Sequence, residues 1–140
     1  MLSVIFETGV YFCVGLILMM IGYWIIDLVI PVDFPKEINE GNKAVGWVSA
    51  GIYAGLGFVV RSAIVSLEIE KSIELLRGIL DTAIFVGIGI VAFVVAYFLI
   101  DIVNTKFNFN EALKSKNEAA GIMIFGIFLG IAFLVSGVIQ

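Results

Sequence analysis

Two carboxylates interrupt otherwise apolar runs. Asp27 lies in YWIIDLVI and Asp101 in YFLIDIVN. Four residues before each is a tyrosine, Tyr23 and Tyr97, and the polar stretch that follows each carboxylate ends in an asparagine, Asn42 and Asn117. Tyrosine and aspartate at i and i+4 share one helical face. An ionised carboxylate inside a membrane helix costs about 3 kcal/mol at the midplane and less toward the interface, so each Asp calls for a partner. Two chemistries meet that need. In the first, the Asp exchanges a proton or coordinates a cation with Tyr and Asn as supporting dipoles, giving a pair of ion sites or a pathway between them. In the second, each Asp accepts hydrogen bonds from backbone N–H groups at the start of the next helix, where the helix dipole favours an anion, and locks a helix-loop-helix unit. A lock would be duplicated as readily as an ion site, so duplication alone does not separate the two.

Composition sets the solvent in which these groups work. The chain has 140 residues, of which 61% are hydrophobic and 14% charged, and its mean hydropathy is +1.15. Soluble domains carry about 25% charged residues, so this is an integral membrane protein whose first partner is the lipid bilayer. A net charge of −4 without a dense Lys/Arg patch argues against nucleic acid as a partner. The chain has no histidine, which removes the commonest general acid/base and the usual metal ligand. Cys13 lies within an apolar run and reads as a small hydrophobe. Gly87 and Gly89 form a GxG inside an apolar helix with no strand before it, so they are not a nucleotide loop. No nucleophile–base pair or metal-ligand spacing is present, and no catalytic residue, metal or cofactor is expected.

The expected architecture is an all-α integral membrane fold, one domain over 1–140, with four transmembrane helices from two tandem parallel two-helix repeats. Repeat one covers about 10–66, an amphipathic linker about 66–81, and repeat two about 82–139. The spanning helices are expected at Gly9 to Ile30, Lys43 to Ser66, Thr82 to Asn104 and Glu118 to Val138, each long enough for a hydrocarbon layer of about 30 Å at 1.5 Å per residue. Residues 1–8 lack a basic region and a small-residue cleavage site, which argues against a cleaved signal peptide. Pro31 ends the first helix. In the loop VDFPKEINEGN, Asp33 can cap a short helix with Pro35 near its start, and Gly41 can stop it. Asn108 and Glu111 play the capping roles in the second loop. Phe34 and Ile38, like Phe109 and Leu113, would share one face of a helix lying on the membrane surface. Between the repeats, Ile69, Ile73, Leu76 and Leu80 recur at helical spacing among charged residues, marking an amphipathic segment that could dock a partner.

The duplication rests on paired residues. Tyr23/Tyr97, Asp27/Asp101, Phe34/Phe109, Asn42/Asn117, Ala44/Ala119, Gly46/Gly121, Gly51/Gly126, Gly55/Gly130 and Phe58/Phe133 stand in register. Two-helix units in tandem enter the membrane in the same direction, so the repeat is parallel. Gly51 and Gly55, and likewise Gly126 and Gly130, form small-residue seams for close helix packing inside the bundle, or in a homo-oligomer. Lys36, Lys43, Lys106, Lys114 and Lys116 in the loops, against Arg61, Lys71 and Arg77 on the other side, put the repeat loops in the cytoplasm and both termini outside. Trp24 and Trp47 read as interfacial anchors on the same face as the Asp residues. Arg61 has the neutral Ser136 at its partner position and reads as a cation snorkelling to the opposite interface.

The motif Asn-x-Ala-x-Gly, NKAVG at Asn42 to Gly46 and NEAAG at Asn117 to Gly121, follows an apolar helix with its Asp in both halves. This pattern resembles the "domain of unknown function 350" family, the YjfL-like small bacterial and archaeal membrane proteins, over nearly the whole chain. The resemblance implies a four-helix protein of the cell membrane and carries no catalytic residue. The residues themselves favour a non-enzymatic scaffold or complex subunit, as a homo-oligomer or with a membrane partner. The alternative is a proton- or cation-conducting channel or transporter built on Asp27 and Asp101. An enzyme acting on lipid or quinone comes third, since no histidine and no second acidic residue lie in the helices.

Overall fold

Among the described residues, apolar runs and their caps form six helices. The computed structural model describes residues 2–68, 74–106 and 108–139. The order is α1 Leu2–Val29, α2 Phe34–Asn39, α3 Lys43–Glu68, α4 Leu75–Val103, α5 Phe109–Lys114 and α6 Glu118–Ile139. Four of them, α1, α3, α4 and α6, are long and apolar enough to cross a membrane, and the described residues contain no strand.

Two boundaries differ from the sequence expectation. Helix α1 begins at Leu2, not Gly9, and in its second turn the Thr8 hydroxyl donates back to the Val4 carbonyl at 2.8 Å. Helix α4 begins at Leu75 and runs without a break through Thr82, where the linker was expected to end. Gly78 does not interrupt it. The glycine is buried, its N–H donates to Glu74 O at 3.0 Å, and its carbonyl accepts from the Thr82 hydroxyl at 2.8 Å. Arg77 and Asp81 sit one turn apart on the same helix at 3.9 Å. Within the expected amphipathic segment, the seventies start of α4 is therefore continuous with a spanning helix. Ile69, Glu70, Lys71 and Ile73 lie outside the described residues.

Helix α3 is the centre of the bundle. In its most apolar window 56% of residues are buried, against 17% in α1 and in α6. Val45, Val48, Ile52, Leu56, Val59 and Ala63 form its buried stripe, recurring every three or four residues as a packed helix face must. They meet Val86, Ile90, Phe93 and Tyr97 of α4, and Ile124, Phe128 and Ala132 of α6. Contacts fix the directions. A Cβ at Gly55 would meet Phe93 and one at Gly89 would meet Val59, so α3 and α4 are antiparallel. Gly22 faces Leu56 and Gly15 faces Val60, so α1 and α3 are antiparallel as well. Helices α3 and α6 run side by side in the same direction, with Ala44 on Gly121, Gly51 on Phe125, Phe58 on Phe133 and a bond between the Ser62 and Ser136 hydroxyls.

The glycine seams divide in two. Gly51 lies against the Phe125 backbone, where a Cβ would stand 2.9 Å from the Phe125 Cα, and Gly55 lies against the Phe93 ring. Gly126 and Gly130 are exposed, and a Cβ at either would meet nothing within 4 Å. The seam expected on α6 thus points away from the interior. The reason is lateral offset: α6 turns Ala120, Gly121, Ile124 and Phe128 toward α3 and α4 instead.

Candidate functional site

The short helices α2 and α5 position the site. Each is six residues long, far below the length at which an isolated helix is stable, so its ends must be held by the surroundings. At the start of α2, Pro35 has no N–H to satisfy. The Phe34 N–H donates to Asp27 Oδ1 at 3.0 Å, and the Lys36 N–H to Asp33 Oδ1 at 3.1 Å. At the start of α5, the Phe109 N–H donates to Asp101 Oδ1 at 2.9 Å, and the Glu111 N–H to Asn108 Oδ1 at 3.2 Å. Asp27 and Asp101 therefore reach from the ends of α1 and α4 to the first N–H of the following short helix. The loop after Asp101 is one residue longer, and the bond is still made. Phe34 and Phe109 are fully buried and anchor the two helices beneath these bonds.

The two short helices also end alike. Gly41 has φ +77° and Lys116 has φ +61°, both left-handed. In α2, Gly41 N donates to Ile38 O and Asn42 N to Glu37 O. In α5, Lys116 N donates to Leu113 O and Asn117 N to Ala112 O. This is the paired closure in which a left-handed residue satisfies the last carbonyls of a helix. Glycine adopts it freely, while Lys116 carries a Cβ into it.

The asparagines differ. Asn42 is buried, and its Oδ1 accepts from Ala44 N at 3.0 Å and Val45 N at 3.3 Å, capping α3. Its Nδ2 donates to Glu37 Oε2 at 2.7 Å and to Leu113 O, at the end of α5, at 2.7 Å. Asn42 thus joins α2, α3 and α5. Asn117 is exposed and caps α6 alone, accepting from Ala120 N at 3.3 Å. Position 112, opposite Asn117, is alanine where the first half has Glu37, so no equivalent network can form.

The tyrosines diverge as well. The Tyr23 hydroxyl pairs with the Ser49 hydroxyl at 3.0 Å, and its ring stacks on Tyr53 with centroids 4.5 Å apart. The Tyr97 hydroxyl donates to Asn110 Oδ1 at 2.8 Å, and its ring packs on Phe109 and Phe128. Among the described residues no hydrogen bond joins the Tyr, Asp and Asn of either half. The expected triads are separate clips at one end of the bundle. Ser49, Asn110, Glu37 and the Leu113 carbonyl are partners that the sequence reading missed. No duplicated position signals them, since Ser49 pairs with Ile124 and Asn110 with Pro35 in the alignment of the halves. Trp47 is exposed near this end, and its indole N–H donates to Glu118 Oε1 at 3.2 Å across α3 and α6.

Four apolar crossings with polar clips at one end define a multi-pass helical membrane protein. The chain belongs to the family described as Domain of Unknown Function (DUF350), whose model matches residues 1–139. The resemblance drawn from NKAVG and NEAAG is thereby borne out. The chain is similar to a "UPF0719 transmembrane protein" of Aquifex aeolicus (strain VF5), 25% identical over 124 residues, which are 87% of this chain and 44% of that protein. It thus spans under half the length of that relative. It is also similar to the "UPF0719 transmembrane protein YshE" of Bacillus subtilis (strain 168), 23% identical over 130 residues, covering 93% of this chain and 90% of that one. No solved structure matches the chain.

Proposed function

We propose that the chain is a non-enzymatic membrane scaffold or complex subunit built as two tandem repeats, in which Asp27 and Asp101 lock the two helix-loop-helix units at one membrane face. The observation that carries this reading is the matched pair of bonds from Phe34 N to Asp27 and from Phe109 N to Asp101, 3.0 and 2.9 Å long. A carboxylate committed to a helix start is stabilised where it stands, by a charge-assisted bond and the dipole of the turn. The bundle interior next to the clips is a core that includes Phe34, Ile52, Phe93, Phe109 and Phe128, which favours a packed body over a polar pathway. The loops lie on the cytoplasmic side of the cell membrane in this reading, on the balance of Lys and Arg. The exposed Gly126 and Gly130 leave α6 a face on which a second copy or a partner's helix could close.

The test separates charge from hydrogen bonding. Asn keeps an acceptor oxygen and loses the charge, whereas Ala loses both. Proteoliposomes holding wild type or the Asp27→Asn/Asp101→Asn variant, each verified as folded and inserted, are assayed for proton, Na⁺ and K⁺ flux under a set potential. The scaffold reading expects no flux in either. It also expects Asp27→Ala to lower stability in detergent by about 2 kcal/mol, as befits a lost bond to a charged acceptor, while Asp27→Asn costs less. Flux in wild type that disappears in the double variant would establish the cation-conducting alternative.

A further inference from the structure

The far end of the bundle holds a cavity that the clips do not explain. It lies between α1 and α3, has a volume of 310 Å³, and is walled by Gly15, Met19, Gly57 and Val60, with Tyr11 and Arg61 also lining it. Gly57 opens it: a Cβ there would meet only the Met19 Cε, at 3.6 Å, whereas Gly15 lets the Val60 side chain pack closely on α1. Its position along the membrane follows from helix rise. Arg61 lies 19 residues beyond the Asn42 cap and Tyr11 lies 19 residues before Ile30, so both stand about 28 Å from the clipped face, at the opposite interface. Gly57 and Met19 lie deeper, so the cavity runs from the headgroup level into the hydrocarbon.

Charge singles out what fits there. Arg61 is exposed, and among the described residues the one ion pair is Arg77 with Asp81, so Arg61 makes no ion pair with a described carboxylate; the acid at this end of α1, Glu7, stands one turn before Tyr11. At the corresponding positions of α6, Ala132 stands in place of Gly57 and Ser136 in place of Arg61, while Gly89 of α4, like Gly15 of α1, packs on a valine of α3. The groove between α1 and α3 therefore has a cation at its end, where the α6 counterpart Ser136 is neutral.

We propose that this groove is a binding site for one anionic phospholipid of the leaflet opposite the repeat loops. An acyl chain lies along Gly15, Gly57 and Met19. The headgroup phosphate sits on the Arg61 guanidinium, a fork suited to phosphate oxygens, and Tyr11 supplies a hydroxyl donor at the same level. The site is independent of the scaffold reading, because it uses neither Asp nor any loop residue.

The experiment titrates the purified chain in mild detergent with dioleoyl phosphatidylglycerol and with dioleoyl phosphatidylcholine, counting bound lipid by native mass spectrometry. Wild type is expected to hold one phosphatidylglycerol about ten-fold more tightly than phosphatidylcholine, the factor that one charge-assisted contact supplies. Arg61→Gln, an exposed change that leaves packing intact, is expected to abolish the preference. Gly57→Leu, which fills the groove, is expected to lose the bound lipid, and Arg77→Gln to behave as wild type. Equal binding of both lipids by wild type, or an undiminished preference in Arg61→Gln, overturns the proposal. Melting curves verify that each variant is folded, and if Gly57→Leu is not, Arg61→Gln decides alone.

Discussion

The two asparagines carry the same sequence signature, yet they should respond very differently to truncation. In Asn42→Ala, the cap on Ala44 N and Val45 N is lost, worth about 1 kcal/mol. The bond to the buried Leu113 carbonyl goes as well, worth about 1 kcal/mol, and the bond to the half-buried Glu37 carboxylate adds about as much again. The sum is about 3 kcal/mol. In Asn117→Ala only the exposed cap on Ala120 N is lost, about 1 kcal/mol. Reversible unfolding by SDS in mixed micelles, followed by helix content, gives both free energies from one assay. A double-mutant cycle with Glu37→Ala isolates the Glu37 share, expected at about 1 kcal/mol of coupling. Equal losses for Asn42→Ala and Asn117→Ala, or a cycle that closes to zero, would refute the reasoning, because they would mean that Asn42 does not join α2 and α5 to α3.

Two further substitutions test packing and backbone strain. Gly121→Ala drives a methyl into the Ala44 backbone, 2.6 Å from its Cα, and should cost about 3 kcal/mol, whereas Gly126→Ala meets nothing and should be neutral or stabilising by up to about 1 kcal/mol; detergent melting of the pair separates them. Lys116→Gly should stabilise the chain by about 1 kcal/mol, since it relieves a left-handed residue that the first half already builds with Gly41, and a rise in melting temperature is the readout.

The parts of this molecule that the sequence announced are those where one residue type has one structural use. Apolar length marked the four crossings. Asp33, Asn108, Asn42 and Asn117 marked helix starts, because a short polar side chain before a helix has few better partners than its first N–H groups. Gly41 marked a helix end for the reason that Lys116 hides one: a non-glycine in the left-handed region leaves no trace in composition. Asp27 and Asp101 each accept one N–H at the start of the short α2 or α5, a partner that sequence alone left open between a helix start and an ion. The Tyr partners and the Glu37–Asn42–Leu113 network were not legible, since they depend on how α1 meets α3 at Tyr23 and Ser49, how α4 meets α5 at Tyr97 and Asn110, and how α5 meets α3 at Asn42. Gly126 and Gly130 are exposed because α6 turns Ala120, Gly121, Ile124 and Phe128 inward instead. Paired residues predict paired environments only where the elements that carry them pack alike, and α3, which meets α1, α4 and α6, is buried far more than α6.

Helix α2 has a mechanical consequence for the first half. It is fastened at its start to α1 through Asp27 and at its end to α3 through Asn42, so it acts as a strut of fixed span between the tips of two crossings. Relative motion of α1 and α3 must then pivot at that strut. Like the blades of shears, the helices move most at the end far from the rivet. That end, about 28 Å away by helix rise, is where Tyr11 and Arg61 flank the groove. Any separation of the two helices is therefore greatest at the face opposite the strut.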